Sequence, residues 1–141
     1  MFNWLFGPGD MALFVDGPNL MREEFNIRLE HLPPALEEVS GGTPNVSRVY
    51  LDNRAPPSLI EAVETNGMDP YVTSGDVDVK MAVDAAVFAE REYDLAIATR
   101  DSDFKPVLDK ANELGSKTYV LAPDLDLSTA LKSTADEVIY L

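Results

Sequence analysis

The segment Ile97-Ala-Thr-Arg-Asp-Ser-Asp-Phe104 joins a predicted buried strand to a predicted helix. The apolar run Leu95-Ala-Ile-Ala-Thr99 is typical of a strand covered on both faces, and apolar residues then recur at helical spacing. Asp101 and Asp103 are therefore expected at the carboxyl edge of a sheet, where sites collect in open α/β folds. Two carboxylates this close together need a cation or a proton between them, although Asp103 could instead simply cap its helix.

Predicted strands and helices alternate along the whole chain. The first strand, Ala12-Leu-Phe-Val15, ends in the turn Asp16-Gly17-Pro18-Asn19. The helix that follows is expected to run through Leu29 and to end at Pro33-Pro34. With 141 residues, this alternation indicates a single three-layer α/β domain, in which a mostly parallel sheet is flanked by helices.

Residues 1–10 are predicted to form an N-terminal arm, and residues 11–141 the domain. The aromatic side chains of the arm could dock on a partner subunit, or the arm could simply fray. No stretch approaches the ~20 apolar residues that a membrane span needs, so we expect no membrane partner. The chain has no cysteine, which excludes a disulfide framework and makes an intracellular, cytoplasmic location the expectation.

The charge balance of the chain is strongly acidic, with 25 acidic residues, 11 basic residues and a formal net charge of −14. This balance argues against a large sequence-independent footprint on nucleic acid. One explanation is a halophilic source, in which salt screens the repulsion within a heavily acidic surface. In that case the net charge would say little about the ligand.

The predicted helix that begins at Val77 carries a carboxylate at a core-facing position. One stripe of this helix, with the spacing i, i+4, i+7 and i+11, consists of Val77, Met81, Asp84 and Phe88. An ionised carboxylate on such a stripe is costly unless it is paired or bound to a metal. Lys80, one turn earlier, could provide the pair, so both interpretations of Asp84 stay open.

Five carboxylates from three separated segments are predicted to converge on one edge of the sheet. They are Asp16, Asp78, Asp84, Asp101 and Asp103. Because the chain has no cysteine and a single histidine, it cannot build a zinc thiolate or imidazole cage. Oxygen-only ligands suit Mg²⁺ or Mn²⁺, which keep waters and meet phosphate oxygens. Such a site can orient a water and stabilise both oxygens of an in-line phosphoryl displacement.

Three motifs of the sequence resemble those of the NYN domains, in the LabA-like branch of the PIN-like nucleases. They are Phe14-Val-Asp-Gly-Pro-Asn-Leu20, Asp76-Val-Asp-Val-Lys-Met-Ala-Val-Asp84 and Ala98-Thr-Arg-Asp-Ser-Asp-Phe104. They occur in the family's order, and the resemblance extends from residue 12 to about residue 122. It implies a PIN-like sheet of strand order 3-2-1-4-5 and a Mg²⁺- or Mn²⁺-dependent ribonuclease site.

The resemblance also implies roles for individual residues. The acidic metal positions of the family match Asp16, Asp78, Asp101 and Asp103. Asn19 matches a polar position that helps to hold the site, and Asp84 matches the helix carboxylate. The third motif commonly begins with Ser-Gly, where this chain has Thr99-Arg100. Arg100 could contact phosphate, or it could pair with an aspartate and lower the metal affinity.

The predicted function is that of a metal-dependent endoribonuclease acting on RNA, which we expect to be single-stranded. Water would attack the phosphodiester in line and leave 5′-phosphate and 3′-hydroxyl ends. All five aspartates are predicted to be catalytic, and the predicted metal ligands are Asp16, Asp78, Asp101 and Asp103. The predicted substrate contacts are Asn19, Lys80, Arg100, Ser102 and Lys105, with Arg22 as a further candidate phosphate contact.

Two other functions fit the same residues. A non-catalytic module of this fold would bind RNA or a protein partner and act in regulation, which the acidic net charge favours somewhat. A small-molecule phosphohydrolase would share the carboxylates but would need a closed pocket, and the sequence has no Gly-rich phosphate loop. For a ribonuclease, the surface that positions RNA must come from the core or from a second subunit in a homodimer.

Overall fold

The computed structural model describes residues 10–21 and 26–141. The strands in these ranges are β1 Met11–Asp16, β2 Val46–Asp52, β3 Asp69–Thr73, β4 Asp94–Ala98, β5 Thr118–Ala122 and β6 Glu137–Tyr140. The helices are α1 Gly17–Leu20, α2 Leu32–Ser40, α3 Pro57–Thr65, α4 Val77–Glu90, α5 Lys105–Glu113 and α6 Thr129–Thr134. Short 3₁₀ turns, Leu29–His31 and Ser102–Phe104, lead into α2 and α5.

The strands lie side by side in one parallel sheet of order β3-β2-β1-β4-β5-β6. The predicted mostly parallel sheet and its order 3-2-1-4-5 are confirmed, and β6 extends the sheet beyond β5. Val15 of β1 is in register with Val49 of β2 on one side and with Ala98 of β4 on the other. The chain order reverses at β1, and at such a switch point a parallel sheet opens a crevice at its carboxyl edge.

Two apolar clusters cover the two faces of the sheet. Along β1 the side chains alternate, so that Ala12 and Phe14 belong to the cluster formed with α4 and α5. Leu13 and Val15 belong to the opposite cluster, formed with α1, α2 and α3. Every residue of β1 is buried, because the strand is covered on both sides. The domain therefore has the three layers that the sequence predicts.

The predicted helix running from the Asn19 turn through Leu29 is wrong. α1 ends at Leu20, and a 3₁₀ turn occupies Leu29–His31. Pro33-Pro34 lies in the first turn of α2 instead of ending a helix. The first amides of a helix have no intrahelical acceptor, so proline loses nothing there, and its fixed φ suits the first turn. These prolines mark the start of a helix.

The predicted N-terminal arm, residues 1–10, lies outside the described residues except for Asp10, and Arg22 lies outside them as well. The Asp10 carbonyl accepts a hydrogen bond from the Asp94 amide at 2.8 Å, which joins Asp10 to the start of β4. Among the helices of the described ranges, none has the length and apolar content needed to cross a membrane.

Candidate metal centre

Three aspartates from two parts of the chain meet at the carboxyl edge of the sheet. Asp78 lies in the first turn of α4, whereas Asp101 and Asp103 follow β4. One carboxylate oxygen of each lies within 4.8 Å of the others. Asp101 Oδ1 also accepts a hydrogen bond from the Asp103 amide at 2.9 Å, so Asp101, and not Asp103, caps the 3₁₀ turn. We refer to Asp78, Asp101 and Asp103 as the aspartate triad.

Asp16 lies beside the aspartate triad at the end of β1, and its side chain is buried. Its Oδ2 accepts a hydrogen bond from the Thr99 hydroxyl at 3.0 Å, and its Oδ1 accepts one from the Asn19 amide at 3.4 Å. Burial, followed by the charges of Asp78 and Asp101, raises the pKa of Asp16 from 3.8 to about 6. The hydrogen bonds act in the opposite direction and lower the pKa. In the metal-free protein the ionised form of Asp16 is therefore less favourable than that of an aspartate in the unfolded chain.

The three carboxylates of the aspartate triad repel one another, and a bound cation would relieve this repulsion. Burial, followed by the charges of Asp101 and Asp103, raises the pKa of Asp78 above its ordinary value. Within the part of the chain that the structure describes, no lysine or arginine forms an ion pair with the three carboxylates. An oxygen-only donor set with this charge matches the ligand preference of Mg²⁺ and Mn²⁺. The residues present therefore fit a divalent metal ion.

Asn19 and Thr99 join the ends of β1 and β4 beneath the site. The Asn19 side-chain oxygen accepts a hydrogen bond from the Arg100 amide at 2.9 Å. The fully buried Thr99 hydroxyl lies 3.0 Å from Asp16 Oδ2 and accepts a hydrogen bond from the Asp101 amide at 3.2 Å. Sequence reasoning noted Thr99 only as a departure from Ser-Gly and missed this bridging contact. Its position at the end of a buried strand was the available signal.

Arg100 is held at the edge of the site by contacts away from the triad. Its Nη2 donates to the Asn19 carbonyl at 3.2 Å, and its Nη1 lies 4.0 Å from Asp126 Oδ2. Its side chain is largely buried, with 11% exposed. Among the described residues, the aspartate that Arg100 pairs with is thus Asp126, which lies outside the aspartate triad.

An open surface depression of 400 Å³ is lined by Asp16 and by two of the triad residues, Asp78 and Asp101. Its charged lining consists of Asp16, Asp52, Asp76, Asp78, Asp101, Arg54 and Arg100. Sequence reasoning missed Asp52, the last residue of β2, and Arg54, two residues after it. Arg54 is 88% exposed, and its Nη2 lies 3.6 Å from Asp52 Oδ2. The signal that could have found them is that β2, like β1, ends in an aspartate at the same edge of the sheet.

The other predicted site residues do not join this group. Asp84 accepts a hydrogen bond from the Tyr50 hydroxyl and pairs with Lys80 and Arg48, and the structure places it outside the aspartate triad. Lys105 pairs with Asp109 on its own helix at 2.8 Å. Neither lysine lines the depression. Ser102 is exposed in the 3₁₀ turn between two triad residues.

Comparison with known proteins relates this arrangement to a family. Residues 10–141 match the family model of the NYN domain. The chain is 45% identical over 137 residues to the uncharacterized protein MJ0482 of Methanocaldococcus jannaschii. That match covers 96% of this chain and 56% of the relative, so the chain spans little more than half the relative's length. The crystal structure of VPA0982, a protein of unknown function from Vibrio parahaemolyticus, matches with a TM-score of 0.79 and 17% identity, over 95% of this chain and 93% of that one.

Proposed function

This chain belongs to the NYN domain family, and from that premise we propose that it is a metal-dependent endoribonuclease. The family has the nuclease-type fold of the PIN-like superfamily. The observation that carries the proposal is the aspartate triad, in which one carboxylate oxygen of each residue lies within 4.8 Å of the others and two of the residues, Asp78 and Asp101, line an open depression. Three carboxylates held together, with no cationic side chain paired to them in the described part of the chain, form a ligand set for a divalent metal ion.

Each residue of the site has a role in this proposal. Asp78, Asp101 and Asp103 would hold the ion, with Asp16 beside them as a further ligand. A Mg²⁺ or Mn²⁺ ion held there would supply an activated water and neutralise charge that develops on the phosphate. Thr99 and Asn19 fix the orientation of the Asp16 carboxylate through hydrogen bonds of 3.0 and 3.4 Å. The products would carry 5′-phosphate and 3′-hydroxyl ends.

The shape and charge of the depression favour a single-stranded RNA over a small phosphoester. The depression is open to solvent, whereas a small substrate is normally enclosed by its pocket. Its rim carries the exposed Arg54 and the largely buried Arg100, which are candidate contacts for phosphates that flank the scissile bond. A single strand that follows this rim needs few phosphate contacts, which suits a chain with 11 basic residues.

Cleavage of end-labelled single-stranded RNA tests the proposal. The protein is incubated with Mg²⁺, with Mn²⁺ or with a chelator, at low and at molar salt, beside an Asp101→Asn variant. An Asp94→Asn variant is the matched control, because Asp94 lies at the opposite end of β4 and bonds to the Lys117 amide. We expect metal-dependent cutting that Asp101→Asn abolishes and Asp94→Asn retains.

The same experiment separates the proposal from its alternatives. If the metal binds and RNA is bound but never cut, a regulatory RNA-binding module of this fold replaces the nuclease. If a small phosphomonoester is hydrolysed and RNA is not, the site belongs to a phosphohydrolase. Cutting that persists in Asp101→Asn would remove the aspartate triad from the reaction and contradict the proposal.

A further inference from the structure

Helix α4 carries apolar side chains on both its inward and its outward face. Met81, Ala85 and Phe88 are buried, yet Val79 and Val83 on the opposite side are 60% and 57% exposed. A helix is normally set in its rotation about its own axis by the contrast between an apolar and a polar face. That contrast is weak in α4, so another interaction must select the rotation that brings Asp78 to the aspartate triad.

A polar network around Asp84 ties α4 to the sheet. The Tyr50 hydroxyl donates to Asp84 Oδ2 at 2.6 Å, and Arg48 Nη1 lies 3.5 Å from the same oxygen. Lys80 Nζ lies 3.2 Å from Asp84 Oδ1, so both carboxylate oxygens have partners. Because Arg48 and Tyr50 belong to β2, the network fixes one side of the helix against a strand.

The guanidinium of Arg48 packs against one aromatic ring of the sheet and one of helix α4. Its guanidinium lies 4.4 Å from the centre of the Tyr71 ring on β3 and 4.9 Å from the centre of the Phe88 ring on α4. Its side chain is 19% exposed, and that of Asp84 is 14% exposed. Charged groups confined in this way accept few alternative geometries, because a lost partner leaves an unpaired charge away from water.

The geometry of a helix connects this network to the metal centre. Asp78 and Asp84 are six residues apart, which is about 120° around the helix at 100° per residue and about 9 Å along it. They therefore lie on the two sides of the buried stripe formed by Met81, Ala85 and Phe88. A rotation of α4 that breaks the contact of Asp84 with β2 would also swing Asp78 away from Asp101 and Asp103.

We propose that Asp84 is a positioning residue, which sets the rotation of α4 through Arg48 and Tyr50 and so delivers Asp78 to the aspartate triad. The inference rests on the proposed function for the identity of the ion, but not for the placement of Asp78. It assigns to Asp84 a role different from direct ligation. It also gives a reason for a partly buried polar network in a place where apolar contacts would stabilise the fold as well but would not fix the rotation of the helix, since buried ion pairs are weak sources of stability.

The decisive variant replaces the network with apolar groups of similar size, by Arg48→Met, Tyr50→Phe and Asp84→Leu together. Such replacements leave no buried unpaired charge, because Lys80, the remaining partner of Asp84, is 48% exposed and stays hydrated. We therefore expect a melting temperature equal to or above that of the wild type. The Mn²⁺ dissociation constant, measured by titration calorimetry, should rise by about 10-fold to 100-fold, the range seen when residues behind metal ligands are changed. Asp94→Asn, the matched control, should leave the Mn²⁺ affinity unchanged.

Two further measurements separate positioning from ordinary structural support. In a double-mutant cycle, Asp84→Asn should weaken Mn²⁺ binding in the wild type but should have no further effect once Asp78 is changed to Asn. In a crystal structure of the metal-free triple variant, the Asp78 carboxylate should lie beyond 4.8 Å from those of Asp101 and Asp103, whereas the wild type keeps the spacing of the triad.

The possible outcomes each decide something. Wild-type Mn²⁺ affinity in both the triple variant and Asp84→Asn would overturn the inference, and so would additive effects in the cycle. If the triple variant does not fold, Asp84→Asn and the cycle decide alone. If the wild-type protein binds no Mn²⁺, the proposed function fails, and the position of Asp78 in the metal-free crystal structure still decides the role of Asp84.

Discussion

Helix α4 places two aspartates in opposite electrostatic environments. Asp78 meets Asp101 and Asp103, two further carboxylates. Asp84 meets two cations and a hydroxyl group, from Arg48, Lys80 and Tyr50. The two residues have the same chemistry and lie on the same helix, and the sequence pattern of α4 separates them only by the core-facing position of Asp84 and its spacing from Lys80. What distinguishes them is the charge that the rest of the fold brings to each.

The difference also separates a stabilising arrangement from a functional one. Around Asp84 the charges compensate one another, so the protein alone satisfies the site. Around Asp78 they repel, and burial together with Asp101 and Asp103 raises the pKa of Asp78. A protein that keeps repelling carboxylates together gives up stability in the metal-free state, and a bound divalent ion would restore it.

Removal of the charge on either aspartate gives the largest expected contrast. Asp78→Asn should lower the rate of RNA cleavage on the order of 10³-fold, because it removes a group that acts directly on transition-state charge. Asp84→Asn should lower it by about 10-fold to 100-fold, because Asn still accepts the Tyr50 hydrogen bond. Single-turnover kinetics with labelled RNA measures both. Equal losses in the two variants would erase the distinction between the two environments.

The buried Asp16 should make the metal-free protein less stable as the pH rises. Its pKa is 3.8 before folding and about 6 in the fold, so the native state holds the proton more tightly between these values. Stability is therefore lost as the pH rises from about 4 through about 6, by up to about 3 kcal/mol for this group. Asp16→Asn should be more stable than the wild type at pH 7.5 in chelator, and this advantage should vanish near pH 4.

Urea unfolding at the two pH values provides the measurement, with Asp94→Asn as the control. Because every other titrating group is shared, the difference between Asp16→Asn and the wild type isolates Asp16. A variant that is less stable than the wild type at pH 7.5 would show that the hydrogen bonds from Thr99 and Asn19 outweigh the burial of the charge.

The mostly parallel sheet could be predicted from local patterns and general rules, because apolar runs mark buried strands and alternation with helices favours parallel pairing. The strand order 3-2-1-4-5 was predicted only from the resemblance of the motifs to those of the NYN domains. The bounds of α4, Val77–Glu90, were predicted as they occur. The helix after Asn19 could not be placed, since Pro33-Pro34 suits the first turn of a helix as well as the residues beyond its end.

Only those site residues that lie in short sequence motifs could be predicted. The structure brings Asp78, Asp101 and Asp103 together as expected, and it puts Asp16 beside them. The hydrogen bond between Thr99 and Asp16 joins residues 83 positions apart, and that between Tyr50 and Asp84 joins residues 34 positions apart. Only Lys80, one turn from Asp84, was visible from helical spacing. Pairings between distant residues depend on packing, which no local pattern contains.

Binding of Mn²⁺ should stabilise the wild type and leave an Asp103→Asn variant unchanged. At a free ion concentration 100 times the dissociation constant, the gain in the free energy of unfolding is about 2.7 kcal/mol. Thermal unfolding with increasing Mn²⁺ measures it as a rising melting temperature. Asp109→Asn is the control, because it removes an acidic residue from α5 that pairs with Lys105 instead of joining the triad. A similar rise in Asp103→Asn would place the ion elsewhere.

The smallest expected effect is that of Arg54, a cation that lines the same depression as the carboxylates of Asp78 and Asp101. Its guanidinium lies 3.6 Å from Asp52 Oδ2 and is 88% exposed, so it can leave that carboxylate for a phosphate with little loss. In the inactive Asp101→Asn background, Arg54→Ala should weaken RNA binding by about 1 kcal/mol. It should also reduce the slope of log affinity against log salt by about 0.7, the value for one phosphate contact on a single strand.

Arg28→Ala, which removes an exposed arginine paired with Glu30 outside the depression, should leave that slope unchanged. If Arg54→Ala also leaves the slope unchanged, Arg54 stays paired with Asp52 and contacts no phosphate, and the RNA reaches the aspartate triad by another path.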